Sequence, residues 1–481
     1  MKKIIKKIII FLLICSSLNV IYSQTTVTID ETFGENGITI IPTTNDAFIS
    51  CLKFDSHGNI IVAGRSFVDV AIAKTNSEGI IDRNFGNNGI VRISMLQFFG
   101  ENETDFFEIY DLKIREENKI LIVLKNIHSF LPSSSRILLM QFNENGSIDE
   151  DFGTDGKIFI GVNGHSAINT ENSNFMLFVN SAFIYKYNYS GNIDENFGEN
   201  GKVYLSYNQP LEIYPNCIKT LRDNSIIIAG GDNYNNREQK LVFLKLTPDG
   251  SFATDFADNG IFSMNIENYL NKQKYFTNVI EDNEGNLIFA GKLADSLIVC
   301  SFNSNGAINN DFGENGFFYS ERFFAYPANQ TIIQHGDKYF IGQGDEVISI
   351  NRDGTLNNYS IFANPYFLIF DMKLQETNKI IIGGGSNENL DYYDFVLARL
   401  NIDPEISLKP TEISNLQIIY PNPAKETLYF SNKTTFEIID IQGRTLLKTR
   451  NPVKCINISN LKAGIYFIKL NNNLIEKFIK E

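Results

Sequence analysis

The feature that most constrains the fold of this 481-residue chain is a short motif that occurs six times. Each copy has a phenylalanine and, four residues later, a glycine; in five copies a further glycine directly follows the phenylalanine. The copies are Phe33, Gly34 and Gly37; Phe85, Gly86 and Gly89; Phe152, Gly153 and Gly156; Phe197, Gly198 and Gly201; Phe256 and Gly260; and Phe312, Gly313 and Gly316. Successive phenylalanines lie 45 to 67 residues apart, a period that indicates repeated supersecondary units.

The segments between the motifs have the pattern of short β-strands. After the motif of the first unit come three apolar or alternating runs, at residues 48–54, 60–64 and 70–74, separated by polar turns. Each motif is followed by one more short run, such as 38–41. The central runs are apolar on both faces, which is typical of sheets covered by a neighbour on each side.

The repeats predict an all-β fold. A lone four-stranded sheet cannot bury both faces, whereas radial stacking covers each face with the next sheet. The turn at 353–356 repeats the residues that precede the motif elsewhere, and a further body follows it, so the count is seven. We therefore expect a seven-bladed β-propeller of four-stranded blades at residues 24–403, followed by a small immunoglobulin-like β-sandwich.

The motif itself is predicted to be structural rather than ligand-binding. We expect its phenylalanine to insert between blades and its glycines to adopt positive φ in the corner that connects them. The sequence leaves open whether the ring closes by pairing of residues 25–41 with the last strand, 395–400.

One stretch of the first unit resembles a known repeat family. Residues 56–64 read Ser-His-Gly-Asn-Ile-Ile-Val-Ala-Gly, and Ala-Ile-Ala-Lys at 71–74 and the motif region 79–86 follow. These residues resemble the delta-60 repeat, a family of mostly exported bacterial β-propeller repeats without an assigned biochemical function. The resemblance covers residues 30–403; the third unit, at 163–187, departs from it because it lacks the polar turn and the terminal glycine.

The two ends of the chain have different compositions from the repeats. Residues 1–23 contain four lysines before an apolar stretch at 8–15, which predicts a cleaved secretory signal peptide. Residues 404–412 contain Pro404 and Pro410 and are predicted to be a linker. Alternating strands separated by turn residues at 413–481 predict the small β-sandwich.

Residues 413–481 are also similar to the type A C-terminal sorting domain of type IX secretion. The matching residues are Tyr420, Pro421, Asn422, Pro423, Ala424, Gly443, Leu461, Gly464, Tyr466 and Lys469. The resemblance implies export through the periplasm and recognition of this domain by the type IX machinery of the outer membrane. It further implies that the protein is secreted or attached to the outer cell surface.

Charge and residue types exclude several functions. The net charge is −14, and basic residues are not clustered, which argues against a nucleic-acid partner. The four histidines are scattered and Cys51, Cys217, Cys300 and Cys455 form no metal-binding or redox pattern, so no catalytic residue and no cofactor is assigned. Asn- and Asp-rich turns such as 149–155 raise the question of calcium, but turn chemistry explains the same residues.

One set of charged residues has a common register. Lys53, Lys113, Lys219 and Lys373 follow Cys51, Asp111, Cys217 and Asp371 by two positions, in what we expect to be the same strand of four blades. Residues two apart share a strand face. The lysines are therefore either a candidate ligand face for an anion, with Asp111 and Asp371 as counter-charges, or members of ion pairs at blade edges.

The predicted function is an exported, monomeric, non-enzymatic propeller that acts as a ligand-binding or adhesion scaffold. The insertions at 95–105 and 125–136 would supply variable loops for an extracellular glycan or protein. The chain has no tryptophan for sugar stacking, although its 21 tyrosines can substitute. A polysaccharide hydrolase or lyase and a purely structural surface protein are the alternatives.

Overall fold

The computed structural model describes most of the chain from residue 27 onwards. The described residues are 27–43, 46–66, 69–95, 105–128, 136–160, 167–169, 175–180, 182–205, 213–232, 240–264, 274–293, 296–320, 330–361, 367–376, 378–386, 393–402, 419–420, 423–441, 443–449, 451–470 and 475–481. The predicted signal peptide and linker lie outside them. The chain divides into two compact units, one spanning Gln24–Pro404 and the other containing Glu405–Glu481. The domain boundaries drawn from the sequence stay predictions.

The first unit consists of antiparallel sheets. Two short strands, β1 (Val27–Ile29) and β2 (Ile38–Ile41), come first in the chain and belong to the last sheet. The first three sheets are β3 (Ala47–Phe54), β4 (Ile60–Ser66), β5 (Asp69–Thr75) and β6 (Ile90–Ser94); β7 (Asp105–Ile114), β8 (Ile120–His128), β9 (Arg136–Phe142) and β10 (Lys157–Ile160); and β11 (Ala167–Asn169), β12 (Phe175–Val179), β13 (Phe183–Asn188) and β14 (Lys202–Tyr204). A short 3₁₀ turn, Glu116–Asn118, separates β7 from β8.

The remaining sheets of this unit repeat the order. They are β15 (Ile213–Thr220), β16 (Ile226–Asp232), β17 (Leu241–Leu246) and β18 (Ile261–Met264); β19 (Lys274–Glu281), β20 (Leu287–Leu293), β21 (Ser296–Phe302) and β22 (Phe317–Tyr319); β23 (Thr331–His335), β24 (Lys338–Gln343), β25 (Glu346–Asn351) and β26 (Leu356–Ile361); and β27 (Phe367–Gln375), β28 (Lys379–Ser386) and β29 (Asp394–Ile402). Both β1 and β2 pair with β29, so strands from the two ends of the unit complete this last sheet.

Each sheet packs face to face against the next. A buried apolar cluster joins the first sheet to the second, for example through Ile72 and Leu112, and corresponding clusters follow between all later neighbours. One more cluster, which contains Leu397 and Leu52, joins the last sheet to the first. Burial of apolar surface on both faces is the main stabilising contribution to such sheets. Among the described residues the contacts therefore follow a closed cycle of seven sheets, and the fold is β-propeller-like.

The six motif phenylalanines lie in six different inter-sheet clusters. Phe33 lies between the last and first sheets, and the other five follow in order around the cycle: Phe85, Phe152, Phe197, Phe256 and Phe312. All six are 9% exposed or less. The cluster between the sixth and seventh sheets contains none of them, which matches the loss of the motif from the sequence there.

The glycines of the motif lie where the chain turns sharply. Gly34 has φ of 54°, and a Cβ added there would lie 2.2 Å from the carbonyl oxygen of Ile38. The second to sixth copies of the motif connect the third strand of a sheet to its fourth strand, as between β5 and β6. The first copy lies between β1 and β2, which both pair with the third strand β29. The repeat in the sequence is therefore offset by one strand from the sheet, because the strand that follows a motif pairs with the third strand of the sheet rather than beginning the next one.

The second unit has two sheets. Its strands are β30 (Ile419–Tyr420), β31 (Thr427–Thr434), β32 (Phe436–Ile439), β33 (Thr445–Lys448), β34 (Val453–Asn457), β35 (Gly464–Leu470) and β36 (Ile475–Lys480). One sheet has the order β30-β31-β34 and the other β33-β32-β35-β36. Leu428 from the first and Ile468 from the second belong to one buried cluster, so the two sheets share a core. Within the described residues, no helix combines the length and the hydropathy of a membrane-crossing segment.

Candidate functional site

The two ends of the sheets in the first unit carry different kinds of connection. Because neighbouring strands are antiparallel, connections alternate between the two ends. One end, which we call the motif end, carries the polar turns between first and second strands and all the phenylalanine motifs. The other, the loop end, carries the connections between second and third strands and between sheets. Eight connections at the loop end span six residues or more, at 95–104, 129–135, 161–166, 205–212, 233–240, 265–273, 320–330 and 387–393.

The structure places the four predicted lysines at corresponding positions. They lie on the first strands of the first, second, fourth and seventh sheets, two residues beyond a break in register that shifts the pairing of each strand. These first strands contact one another from sheet to sheet, for example β3 with β7 and β27 with β3. The lysines therefore belong to the inner strands of the cycle. The insertions predicted at 95–105 and 125–136 lie largely outside the described residues.

The contacts of Lys53, Lys113 and Lys373 are local. Lys53 Nζ lies 3.3 Å from Asp111 Oδ1 on the next sheet, and Lys373 forms an ion pair with Asp371 on its own strand. Lys113 donates to the Tyr189 hydroxyl at 3.1 Å and lies 4.8 Å from the centre of that ring. Lys219 is half-buried on β15. The positive charges of Lys53 and Lys373 are thus locally balanced. Contact of these lysines with a ligand stays a prediction.

Asp371 also connects two sheets. Its Oδ1 accepts from the backbone N–H of Met372 at 2.8 Å, and its Oδ2 accepts from the N–H of Leu52 on the first sheet at 2.9 Å. The break in register frees a backbone donor from the ladder, and a carboxylate satisfies it. Asp371 therefore has a structural role in joining the last sheet to the first.

Arg399 on β29 is the centre of a buried polar network that the sequence analysis missed. It is 1% exposed, and its guanidinium donates to Asp30 Oδ2 and Glu78 Oε2, each at 2.7 Å. It also donates to the Ser77 carbonyl at 3.1 Å and lies 5.0 Å from the ring centre of Phe33. One side chain thus joins the N-terminal segment, the first sheet and the last sheet.

The network changes the acidity of both carboxyl groups. Burial raises the pKa of Asp30, but hydrogen bonds from Thr32 and the charge of Arg399 outweigh it and lower this pKa to about 2. The hydrogen bond from Arg399 lowers the pKa of Glu78 below its usual value. Both groups are therefore charged at neutral pH, as a buried guanidinium requires.

The same kind of pair occurs in other sheets. A polar residue in the third strand bonds to the polar residue eight positions later, which begins the motif segment in three sheets and lies on β26 in the sixth. The pairs are Gln141 with Asp149 at 2.6 Å, Lys186 with Asp194 at 3.0 Å, Ser301 with Asn309 at 3.3 Å and Ser349 with Asn357 at 2.8 Å. A polar residue in the second half of a mostly apolar third strand, at this constant spacing, is the sequence signal that identifies them.

One cluster at the motif end has the residue types of a metal site. Ligand atoms of Asp55, His57 and Glu144 lie within 4.8 Å of one another. The ammonium of Lys74 already lies 3.2 Å from Asp55 Oδ2 and 3.5 Å from Glu144 Oε1, and Asn59 donates to both oxygens of Asp55. A lysine therefore supplies the positive charge that calcium would bring, and the donor set fits an ion-pair network better than a metal site.

The residues of the predicted sorting signal are distributed through the second unit. Ala424 is fully buried, Gly443 lies in a turn with φ of 79°, Leu461 packs against the core, and Gly464 begins β35. Tyr466 is 8% exposed and donates to the Lys462 carbonyl at 2.8 Å. Lys469 lies on β35, Tyr420 ends β30 and Pro423 is exposed, whereas Pro421 and Asn422 lie outside the described residues.

Solved structures resemble the chain only distantly. A catalytically inactive virginiamycin B lyase from Staphylococcus aureus has a TM-score of 0.44 at 10% identity, covering 76% of this chain and 99% of that one. PorZ, a surface component of the type IX secretion system of Porphyromonas gingivalis, has a TM-score of 0.39 at 12% identity, covering 93% and 61%. The Pan2 WD40 domain of Neurospora crassa has a TM-score of 0.43 at 9% identity, covering 76% and 95%. With TM-scores below 0.5, these similarities carry no information about ligands or activity here.

The C-terminal end gives a specific match. No curated protein matches the chain significantly. Residues 418–481 match the secretion system C-terminal sorting domain family. The second unit thus interacts with the type IX secretion machinery, as predicted, whereas the delta-60 assignment of the first unit stays a prediction. The chain carries a type IX sorting domain and is exported by that pathway to the cell surface or the surroundings.

Proposed function

We propose that the first unit is a closed seven-bladed β-propeller that acts outside the cell as a non-enzymatic ligand-binding or adhesion scaffold. The observation that carries this proposal is the variation of the loop-end connections, whose lengths run from two residues to eleven. Connections of varied length on a rigid framework are where binding functions commonly lie. The motif end, in contrast, repeats the same short turns and motif from sheet to sheet.

The cyclic packing supports the seven-bladed ring. Pairing of β2 with β29 completes the last sheet with a strand from the start of the unit, and Arg399 joins the same two segments. Closure of this kind leaves no sheet face uncovered and holds the loop end in one arrangement. For the second unit, two sheets with a shared core support the proposal of an immunoglobulin-like sandwich.

The polar contacts of the inner strands favour a scaffold over an enzyme. The inner charged residues Lys53, Asp111, Lys373 and Asp371 make ion pairs or backbone contacts that hold sheets together. The buried Arg399 network likewise joins segments of the framework. These groups are engaged in structure, so the proposal assigns binding to the loop end.

The test is binding of the full mature chain to glycan and protein arrays, with and without calcium. We expect saturable binding that is weakened when residues 95–104 are replaced by a Gly-Ser segment of equal length. Replacement of the short turn 56–58 at the motif end is the matched control and should leave binding unchanged. Turnover of an arrayed polysaccharide would contradict the non-enzymatic proposal and favour the hydrolase or lyase, and absence of any ligand would favour a purely structural surface protein.

A further inference from the structure

The outer part of the third sheet carries a partly exposed group of aromatic side chains. Phe183 on β13 pairs with Tyr204 on β14, and their ring centres are 5.3 Å apart at 49°. The ring of Tyr185 lies 6.0 Å from that of Phe183. Tyr204 is 56% exposed, while Phe183 and Tyr185 are half-buried. We call these three residues and Lys202 the aromatic patch.

Comparison with the other repeats shows that the patch is specific to the third sheet. In the remaining six sheets, the third-strand positions that correspond to Phe183 and Tyr185 are all buried. With the exception of Glu346 they hold apolar residues: Ala71 and Ala73, Leu138 and Met140, Val242 and Leu244, Ile298 and Cys300, Ile348, and Val396 and Ala398. The other sheets thus fill these positions without aromatic rings. Tyr185 packs in part against the cluster between the second and third sheets, but partial exposure of such rings stabilises the fold less than full burial.

Lys202 adds a positive charge to this surface. It lies opposite Tyr185 in the pairing of β13 with β14, and its ammonium is 5.3 Å from the centre of the Phe183 ring. Lys202 is exposed and has no ion-pair partner among the described residues. An exposed ammonium that lies against a ring, with no carboxylate partner in the described part of the chain, is placed to meet an anion.

We propose that the aromatic patch binds an acidic polysaccharide. The apolar C–H faces of sugar rings stack on exposed aromatic rings, and the carboxylate of a uronate unit would meet the Lys202 ammonium. Aromatic rings beside a charged group suit a ligand that is apolar on one face and hydrated on the other. The site lies on the outer strands of a sheet, away from the inner lysines. It deepens the proposed scaffold function by naming a ligand class.

The experiment uses the full mature chain on an array of uronate polymers (galacturonate, glucuronate and guluronate) and neutral glucan and galactan. The bound uronate is then titrated as an oligosaccharide, alongside its methyl ester, which keeps the sugar faces and removes the charges. We expect uronate binding, with the ester about tenfold weaker. Tyr204→Ala and Phe183→Ala should each weaken uronate binding about tenfold, and Lys202→Gln should remove both the preference over the ester and the salt dependence.

The matched control is Phe159→Ala. Phe159 is 50% exposed at the position of the second sheet that corresponds to Tyr204, but it pairs with Leu138 rather than with an aromatic ring. This variant should bind like the wild type. Thermal melting of each variant separates loss of binding from loss of fold. Tyr204→Ala and Lys202→Gln alter exposed side chains, so these two variants should keep the melting temperature of the wild type.

Three results would overturn the proposal: no binding to any uronate polymer, equal binding of the methyl ester, or undiminished binding by Tyr204→Ala. If a protein on the protein array binds instead, and Tyr204→Ala abolishes that binding, the patch is a protein interface and the polysaccharide proposal is wrong. Binding that depends on residues 95–104 but not on Tyr204 would contradict the patch and leave the scaffold proposal standing. A chain that binds nothing on either array would contradict both.

Discussion

Arg399 is the side chain on which the first and last segments of the N-terminal unit converge. Its charge is buried, so loss of a carboxylate partner leaves that charge less well compensated. Asp30 and Glu78 supply the two carboxylates, and Phe33 covers the guanidinium plane. The stability of this junction therefore depends on the protonation of Asp30.

Asp30→Asn should lower the free energy of unfolding at pH 7 by about 2 kcal/mol. The pKa of Asp30 is about 2 in the fold, and an unfolded aspartate titrates near pH about 4. The contribution is thus complete above pH about 4 and disappears as the pH falls through about 2. Denaturant unfolding of both proteins across this range measures it. A difference that stays constant with pH would contradict the assignment.

Asp82→Asn is the control for this experiment. Asp82 occupies the same position in the second motif, and its Oδ1 accepts from the backbone N–H of Asn84 at 3.0 Å. No ion pair of Asp82 occurs in the described part of the chain. Its substitution should change the unfolding free energy by less than half as much.

The motif phenylalanines are the second residue-scale test. Phe85→Ala should lower the free energy of unfolding by about 3 to 5 kcal/mol, because a buried ring between two sheets leaves a cavity. Phe159→Ala removes a half-exposed ring and should cost much less. Equal effects in thermal unfolding would mean that the motif ring is not part of the inter-sheet core.

At the scale of elements, the N-terminal strands complete the last sheet. Val27–Ile29 and Ile38–Ile41 both pair with β29, which makes β29 the strand with partners from both ends of the unit. Ile41 and Phe33 also contribute to the cluster between the last and first sheets. Their removal would expose both a strand edge and an apolar face.

Deletion of residues 24–41 should therefore lower the melting temperature by roughly 5 to 10 °C. Deletion of residues 24–26 alone, which precede β1, is the control and should leave it unchanged. Differential scanning calorimetry of the three proteins measures both. An unchanged melting temperature after the longer deletion would mean that the N-terminal strands do not hold the ring closed.

The sequence repeats predicted where the strands lie more completely than which strands and side chains pair with one another. Continuous apolar runs located strands at 60–64 and 70–74, and the structure has β4 and β5 there. Period-2 patterns cannot tell whether the strand after a motif pairs backwards or forwards, so the one-strand offset and the closure by β2 needed the structure. The lysine register was likewise visible, whereas partners such as Tyr189 come from another repeat, 76 residues away from Lys113. The sequence did not reveal the aromatic patch, because the third repeat, at 163–187, departs from the pattern of the others.

At the scale of the whole molecule, the two units have separate roles. The first unit has its own inter-sheet clusters, and the second has its own core. Residues 418–481 carry the match to the sorting domain. Export should therefore depend on the second unit, while the fold of the first should not.

A chain that ends at residue 412 should accumulate in the periplasm instead of outside the cell. Its first unit should still resist protease, because all its inter-sheet clusters remain. Cell fractionation and limited proteolysis measure the two properties. Ile441→Ser, a change at a residue 74% exposed in the second unit, is the control and should be exported normally. Export of the truncated chain would contradict the role of the sorting domain.

The contact between Asp30 and Arg399 spans 369 residues, nearly the whole first unit. Contacts so distant in sequence form late, because closing so long a loop costs conformational entropy. Only when the intervening sheets have folded is that cost small enough for the contact to form. During translation and transit across the inner membrane, Asp30 emerges near the start of the first unit and Arg399 near its end. Until the final strand emerges, the last sheet has an open edge that other chains could extend. The interval before closure is thus the stage at which this protein is most exposed to aggregation and has most need of a chaperone.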